Sequence, residues 1–130
     1  MKKRILIVED DPMISKLLFI SLSDQYDLAF AKNGEEGIER YRLLKDSLSL
    51  VITDFQMPIK NGDEVALFVR SNDSTIPILF ASGSDWRDLS PKLAVIPNLI
   101  VIAKPIRVVA LREVISNLIN SPAERRPAFS

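Results

Sequence analysis

The 130-residue chain contains no cysteine and no histidine. The missing cysteine excludes a disulfide framework, a thiol nucleophile and a zinc–thiolate site. The missing histidine excludes Ser-His catalysis and metal sites built on imidazole. Any chemistry that the chain performs must therefore use carboxylates, lysine, hydroxyl groups or a metal ion held by oxygen atoms.

The chain also lacks an excess of either charge, because 17 Lys and Arg residues balance 17 Asp and Glu residues. No overall field would draw it to nucleic acid or to an acidic membrane, and we expect neither as a partner. The basic segment Lys2–Arg4 precedes an apolar run that ends before Glu9, which is too short for a signal peptide. No apolar stretch reaches the length of a membrane span, so we expect a cytoplasmic location.

Enough apolar sequence is present for one hydrophobic core. Hydrophobic residues make up 47% of the chain and charged residues 26%, which is typical of a soluble globular domain. We expect this single domain to span residues 1–120. Residues 121–130 are polar and contain proline, so we expect them to form a flexible tail.

Short runs rich in β-branched residues predict strands, and segments with helical periodicity alternate with them. The five predicted strands are Arg4–Val8, Asp27–Ala31, Leu48–Asp54, Ile76–Ala81 and Leu99–Ala103. Such alternation implies an α/β fold whose parallel sheet is covered by helices on both faces. Right-handed crossovers leave few topologies, of which we choose the doubly wound (βα)5 flavodoxin-like fold with strand order 2-1-3-4-5.

Capping and turn residues mark the connections between these elements. Asp11 precedes Pro12, which suits the first turn of a helix, so we interpret Asp11 as a helix cap rather than a ligand. Asn61-Gly62 predicts a turn after the third strand. The helix after Pro12 is predicted from apolar residues at helical spacing, namely Met13, Ile14, Leu17, Leu18 and Leu22.

Carboxylates stand where two of the predicted strands end. Glu9 and Asp10 follow the first strand, and Asp54 ends the third. Strands 1 and 3 are neighbours in the chosen order, so the three carboxylates gather at the C-terminal edge of the sheet, where open α/β sheets bind ligands. Like charges brought together need a cation, and a few carboxylates fit Mg²⁺. Taken alone, Asp54 could equally well cap the turn that follows it.

Two further polar groups reach the same edge of the sheet. Ser82 ends the fourth strand and Lys104 follows the fifth. Together with the carboxylates they suit phosphoryl transfer to a carboxylate, in which Asp54 is the nucleophile and Mg²⁺ and Lys104 hold the phosphoryl oxygens. The residues therefore predict a phosphoacceptor site.

Four motifs mark the ends of strands 1, 3, 4 and 5. They are Ile-Leu-Ile-Val-Glu9-Asp10-Asp11-Pro12, Val-Ile-Thr-Asp54-Phe-Gln-Met57-Pro58 with Gly62, Pro77-Ile-Leu-Phe-Ala-Ser82-Gly83, and Lys104-Pro105. In this order they resemble the motifs of the response-regulator receiver domain, the phosphoacceptor module of two-component signalling. The resemblance covers residues 3–120, which is nearly everything except the predicted tail.

The resemblance implies that Asp54 accepts a phosphoryl group from a histidine kinase or a histidine phosphotransfer protein and that an output protein or domain receives the signal. It implies an Mg²⁺ site with ligands from Glu9, Asp10, Asp54 and the backbone carbonyl of Gln56. Ser82 is implied to be the switch hydroxyl, and Lys104 is implied to pair with the phosphoryl group. The catalysis implied is at most self-phosphorylation from phosphohistidine or an acyl phosphate, and self-dephosphorylation.

One position departs from the family pattern. The family usually has Tyr or Phe three residues before the lysine, whereas this chain has Val101. Because no aromatic ring can turn inward there, we expect activation to reshape residues 83–90 while strand 5 changes little. The segment before strand 5 contains Pro91 and Pro97, so we expect a loop and then a short helix whose first residue is Pro91.

A second function stays open at this point. It is a receiver-fold module for protein interaction or dimerisation, including a homodimer, with little dependence on phosphorylation. The unusual segment 85–101 favours this alternative, whereas the complete set of acidic pair, aspartate, hydroxyl and lysine argues against it. A hydrolase built on the same carboxylates would lack a clear general base.

Overall fold

The computed structural model of the chain describes residues 2–54, 62–82, 97–104 and 107–120, with the backbone alone described at Ser82. Its strands are β1 (Lys3–Val8), β2 (Tyr26–Ala31), β3 (Leu48–Asp54), β4 (Ile78–Ser82) and β5 (Leu99–Ala103). They form one sheet in the order β2-β1-β3-β4-β5, and every neighbouring pair is parallel. The predicted flavodoxin-like fold and its strand order are confirmed.

Helices precede or follow the strands along the described parts of the chain. They are α1 (Pro12–Leu22), α2 (Gly34–Leu44), α3 (Gly62–Asn72) and α4 (Val108–Asn120), and a 3₁₀ turn at Lys45–Ser47 leads into β3. None of these helices is long and apolar enough to cross a membrane. The predicted tail at residues 121–130 lies outside the described residues, as does the helix predicted to begin at Pro91.

Side-chain caps determine where α1 and α2 begin. The Asp11 carboxylate accepts a hydrogen bond from the backbone N–H of Met13 at 2.9 Å, and Pro12 takes the first helical position, where its missing N–H leaves no donor unpaired. Asn33 caps α2 in the same manner, accepting from the backbone N–H of Glu36 at 2.8 Å. The interpretation of Asp11 as a helix cap is confirmed.

Two hydrophobic cores lie on opposite faces of the sheet, because alternate residues of a strand point to opposite sides. One core lies under α2 and α3 and includes Leu6, Val8, Tyr41, Val51, Val65, Val69, Ile78 and Phe80. The other lies under α1 and α4 and includes Ile5, Ile7, Leu18, Leu22, Ile52, Leu79, Ile100, Leu111 and Ile115. Helices on both faces explain why the central strands are apolar on both sides.

Helix α2 approaches the end of β1 closely at Gly37. A Cβ atom on Gly37 would lie 2.9 Å from Cγ2 and 3.1 Å from Cγ1 of Val8, so any larger residue would force Val8 or α2 to shift. Glycine lets α2 lie against β1 without that shift. Val8 immediately precedes Glu9, so this contact supports the strand end that carries the acidic pair.

Candidate phosphoacceptor site

Three carboxylates meet at the C-terminal edge of the sheet. Asp54 is the last residue of β3, and Glu9 and Asp10 follow β1, its neighbour in the sheet. One carboxylate oxygen from each of these three residues lies within 4.8 Å of the other two. The structure therefore brings together the three acidic residues that the strand order places at one edge.

Two of the three carboxylates are buried. Glu9 is 5% exposed and Asp54 is 6% exposed, whereas Asp10 is open to solvent. Two buried like charges repel each other, and each loses the hydration that it would have in water. A proton, a cationic side chain or a metal ion is needed to offset that cost.

A lysine supplies one of these charges. The Nζ atom of Lys104, just after β5, lies 2.8 Å from Oδ2 of Asp54 and donates a hydrogen bond to it. The lysine side chain is 29% exposed, so its ammonium group can still reach solvent while it binds the buried aspartate. The pair places a positive charge beside the carboxylate expected to react.

The ionisation of Glu9 is altered by its buried position in this cluster. The pKa of the Glu9 carboxyl is raised from 4.5 to about 7, mainly because the group is buried. The charge of Asp54 and a hydrogen bond with Asp10 add to the rise, while the backbone N–H of Asp11 and the charge of Lys104 oppose it. A bound cation would favour the ionised form of Glu9.

The turn from β1 to α1 holds the acidic pair in place. The Glu9 backbone N–H donates to the carbonyl of Ala31 at 2.9 Å, and the Glu9 carboxylate accepts from the backbone N–H of Asp11 at 3.1 Å. The Asp11 carboxylate accepts a hydrogen bond from the N-terminus of α1 and is therefore not available to the site. Asp10 is thus presented to solvent between two residues whose side chains are held by the backbone.

The other predicted site residues are described only in part. Ser82 ends β4 and pairs in register with Ala103, the residue before Lys104, so its backbone lies at the same edge of the sheet. Gln56 lies outside the described residues, and so does the segment 83–96. The roles predicted for Ser82 and for the Gln56 carbonyl therefore stay predictions.

Thr53 is a neighbour of the site that the sequence motifs did not single out. Its side chain is completely buried, and its hydroxyl donates to the backbone carbonyl of Asp54 at 3.1 Å. A threonine inside an otherwise apolar strand is a signal that could have drawn attention to this position. This hydrogen bond links the backbone of the last residue of β3 to the side chain of the residue before it.

The oxygen donors at this edge fit a hard divalent cation. Mg²⁺ is bound in proteins by one or two carboxylates together with water and phosphate oxygens, and the site offers three carboxylates, one of them open to solvent. The same edge offers a nucleophilic carboxylate paired with an ammonium group. This arrangement can support transfer of a phosphoryl group to Asp54.

Comparison with known proteins places the chain among signalling proteins. YrkP, a transcriptional regulatory protein of Bacillus subtilis, is 43% identical over 81 residues, which are 62% of this chain and 33% of YrkP. Hybrid signal transduction histidine kinase D of Dictyostelium discoideum is 35% identical over 94 residues, which are 71% of this chain and 6% of that kinase. The chain thus spans a third or less of the length of these relatives.

A solved structure shares the fold of this chain, and a family model matches most of its length. The crystal structure of a response regulator receiver domain protein from Clostridium thermocellum superposes with a TM-score of 0.81 at 22% identity, covering 90% of this chain and 94% of that chain. At that identity the likeness shows the fold alone. Residues 5–116 match the model of the response regulator receiver domain, so the chain belongs to this family, the receiver domains of two-component systems.

Proposed function

We propose that Asp54 accepts a phosphoryl group from the phosphohistidine of a histidine kinase or a histidine phosphotransfer protein. The observation that carries the proposal is the pair of Asp54 and Lys104, 2.8 Å apart, beside the carboxylates of Glu9 and Asp10. A buried nucleophile, a cation next to it and an oxygen-donor cluster for a second cation occupy one edge of the sheet. A cytoplasmic location and an output protein or domain as a further partner are part of the same proposal.

The transfer forms one bond and breaks one. A carboxylate oxygen of Asp54 attacks phosphorus, the phosphorus–nitrogen bond of the phosphohistidine breaks, and the imidazole leaves as the neutral base after taking a proton from solvent. Lys104 moves its hydrogen bond from Asp54 to a phosphoryl oxygen, so its positive charge follows the negative charge that arrives. We expect the hydroxyl of Ser82 to donate a hydrogen bond to another phosphoryl oxygen.

Mg²⁺ would be held by Glu9, Asp10, Asp54 and the backbone carbonyl of Gln56. Its charge would neutralise the phosphoryl oxygens and would remove the repulsion between the carboxylates. Glu9 is buried on one side of the cluster, whereas the exposed Asp10 leaves the other side open to the donor. Glu9 and Asp10 would thus act as metal ligands beside the acceptor.

Acetyl phosphate with Mg²⁺, followed by intact-protein mass spectrometry, tests the proposal. We expect the wild type to gain the mass of one phosphoryl group and the Asp54→Ala variant to gain none. Asp11→Ala is the matched control, because it removes a neighbouring carboxylate that caps α1, and it should keep most of the labelling. Labelling that persists in Asp54→Ala would assign the nucleophile to another residue.

The interaction or dimerisation module without phosphorylation is the second candidate function. The observation in its favour is the apolar outer surface of α1, where Met13, Leu17, Phe19 and Ile20 are 49–80% exposed. If the wild type binds its partner equally well before and after phosphorylation, and if Asp54→Ala binds as well, this second candidate is the better account.

A further inference from the structure

Strand β2 forms one edge of the sheet. It pairs with β1 on one side, and among the described residues no strand pairs with its other side. An edge strand presents a row of backbone N–H and C=O groups that another strand can bind. The strand is six residues long, and Asp27 is its one charged residue, so little in its sequence prevents such pairing.

The side chains of β2 also leave apolar surface at this edge. Tyr26, Leu28 and Phe30 point to the α1 face of the sheet, and all three are only partly buried. The ring of Phe30 lies 6.5 Å, between centroids, from the ring of Phe19 on α1, and Phe19 is itself 52% exposed. The two rings form a partly exposed apolar wall between α1 and the edge strand.

A cavity opens beside this wall. It measures about 280 Å³ and is lined by Ser15, Lys16 and Phe19 of α1 and by Phe30 of β2. A strand added next to β2 would place one of its side chains beside Phe30 on the same face of the sheet, because neighbouring residues in register share a face. That position lies next to this cavity, which is shallow and open to solvent and has room for one large apolar side chain.

We propose that the outer edge of β2 binds an extended peptide segment of a partner protein by strand addition, with one large apolar side chain in the cavity between α1 and β2. Main-chain hydrogen bonds would provide affinity, and the cavity would select the anchoring residue. Two exposed cations, Lys16 on the cavity wall and Lys32 just after β2, favour acidic residues next to that anchor, whereas exposed Asp27 disfavours them beside the start of β2. This surface is separate from the phosphoacceptor residues and goes beyond the function proposed for them.

Selection from a peptide library tests the proposal and does not require the partner to be identified first. Random twelve-residue peptides displayed on phage are panned against the wild type after depletion on the Phe19→Ser variant. We expect enriched peptides to alternate apolar and polar residues and to carry acidic residues beside a large apolar one. A synthetic copy of an enriched peptide should shift the backbone amide signals of Tyr26–Ala31 in NMR spectra.

Matched variants distinguish strand addition from non-specific binding to exposed apolar residues. Phe19→Ser and Lys16→Glu should each lower the affinity for the peptide about tenfold, as measured by fluorescence anisotropy. Leu43→Ser, at a 77% exposed position on α2, should leave the affinity unchanged. N-methylation of alternate peptide residues should abolish binding in one register and leave it intact in the other, because only one set of N–H groups faces β2.

Three results would overturn the proposal. The first is panning that enriches no peptide over the Phe19→Ser protein. The second is equal binding by both N-methylated registers, which would show that main-chain hydrogen bonds are not used. The third is a set of amide shifts that leaves Tyr26–Ala31 unchanged and maps to the outward face of α1 or to β5.

Discussion

The ammonium group of Lys104 lies 2.8 Å from a carboxylate oxygen of Asp54, which joins the residue that follows β5 to the last residue of β3. Between these strands lies β4, so the ion pair spans the C-terminal edge of three neighbouring strands. Asp54 is 6% exposed and has two other carboxylates close by. We therefore expect the lysine to contribute to the stability of the metal-free fold as well as to the chemistry proposed at Asp54.

Replacing Lys104 with methionine should lower the free energy of unfolding of the metal-free protein by about 2 kcal/mol, because a buried carboxylate loses its partner. Asp54→Asn in the Lys104→Met background should restore most of that loss. Urea denaturation of the wild type, both single variants and the double variant gives the coupling between the two residues. Losses that simply add would show that the 2.8 Å contact does not stabilise the fold.

The stability of the metal-free protein should fall as pH rises from about 4.5 to 7. In this range the folded protein holds the Glu9 proton more tightly than the unfolded chain, because the pKa of Glu9 is raised from 4.5 to about 7. The stabilisation is complete below pH 4.5 and is lost as pH rises through 7. Urea denaturation with a chelator present should show this slope in the wild type and a shallower slope in Glu9→Gln.

Glu35→Gln is the control for the pH experiment, since Glu35 is exposed on α2 and its removal also deletes one carboxylate. It should keep the slope of the wild type. If Glu9→Gln and Glu35→Gln give the same pH dependence, the raised pKa of Glu9 does not contribute to folding stability.

Millimolar Mg²⁺ should raise the thermal midpoint of the wild type, because a cation that binds the folded state stabilises it by mass action. Asp10→Asn should reduce this rise, whereas Asp46→Asn should not, since Asp46 lies in the exposed turn before β3. The affinity should increase with pH up to about 7 as Glu9 ionises. A midpoint that does not move with Mg²⁺ would argue against the metal site.

Gly37→Ala should destabilise the wild type, since its new Cβ would meet Val8 at 2.9 Å. Overpacking of this kind costs about 1–3 kcal/mol and outweighs the gain of about 1 kcal/mol from better helix propensity. In a Val8→Ala background the obstruction is gone, and the same substitution should become stabilising. Chemical denaturation of the four proteins measures both effects, and an equal cost in the two backgrounds would contradict the steric explanation.

The sequence predicts the bounds of a strand well where neighbouring residues determine them. Leu48–Asp54 is predicted with its correct bounds because an apolar run begins after polar residues and ends in a carboxylate. The predicted start of β4 was wrong by two residues, since the strand begins at Ile78 rather than Ile76. The carbonyl of Ile76 instead accepts a hydrogen bond from Arg70 at 2.7 Å, a long side-chain contact that periodicity cannot reveal.

The periodicity of apolar residues does not identify the buried face of a helix that carries apolar residues on all sides, as α1 does. Met13 and Leu17 have the spacing of a buried face, yet they are 80% and 49% exposed, while Leu18 and Leu22 are buried. With Lys16 as the one charged residue of α1, the sequence does not mark its outer face. Gly62 was expected in a turn but is the first residue of α3.

The candidate site could be predicted as a set of residues but not in its energetics. Strand order alone brings Glu9, Asp10 and Asp54 together, because β1 and β3 are neighbours. The raised pKa of Glu9 depends on how deeply α1, β1 and the turn between them bury its carboxyl, which no local pattern encodes. The same holds for the contact of Thr53 with the Asp54 carbonyl.

The ion pair between Asp54 and Lys104 joins residues that are 50 positions apart in the chain. During synthesis, a chain that has emerged only as far as α3 would already contain Glu9, Asp10 and Asp54, but it would lack Lys104, the lysine that pairs with Asp54. Neither the fifth strand nor its cation would yet be present to complete the acceptor. The pair of Asp54 and Lys104 can therefore form only after translation has passed the fifth strand, well after the three carboxylates have been made.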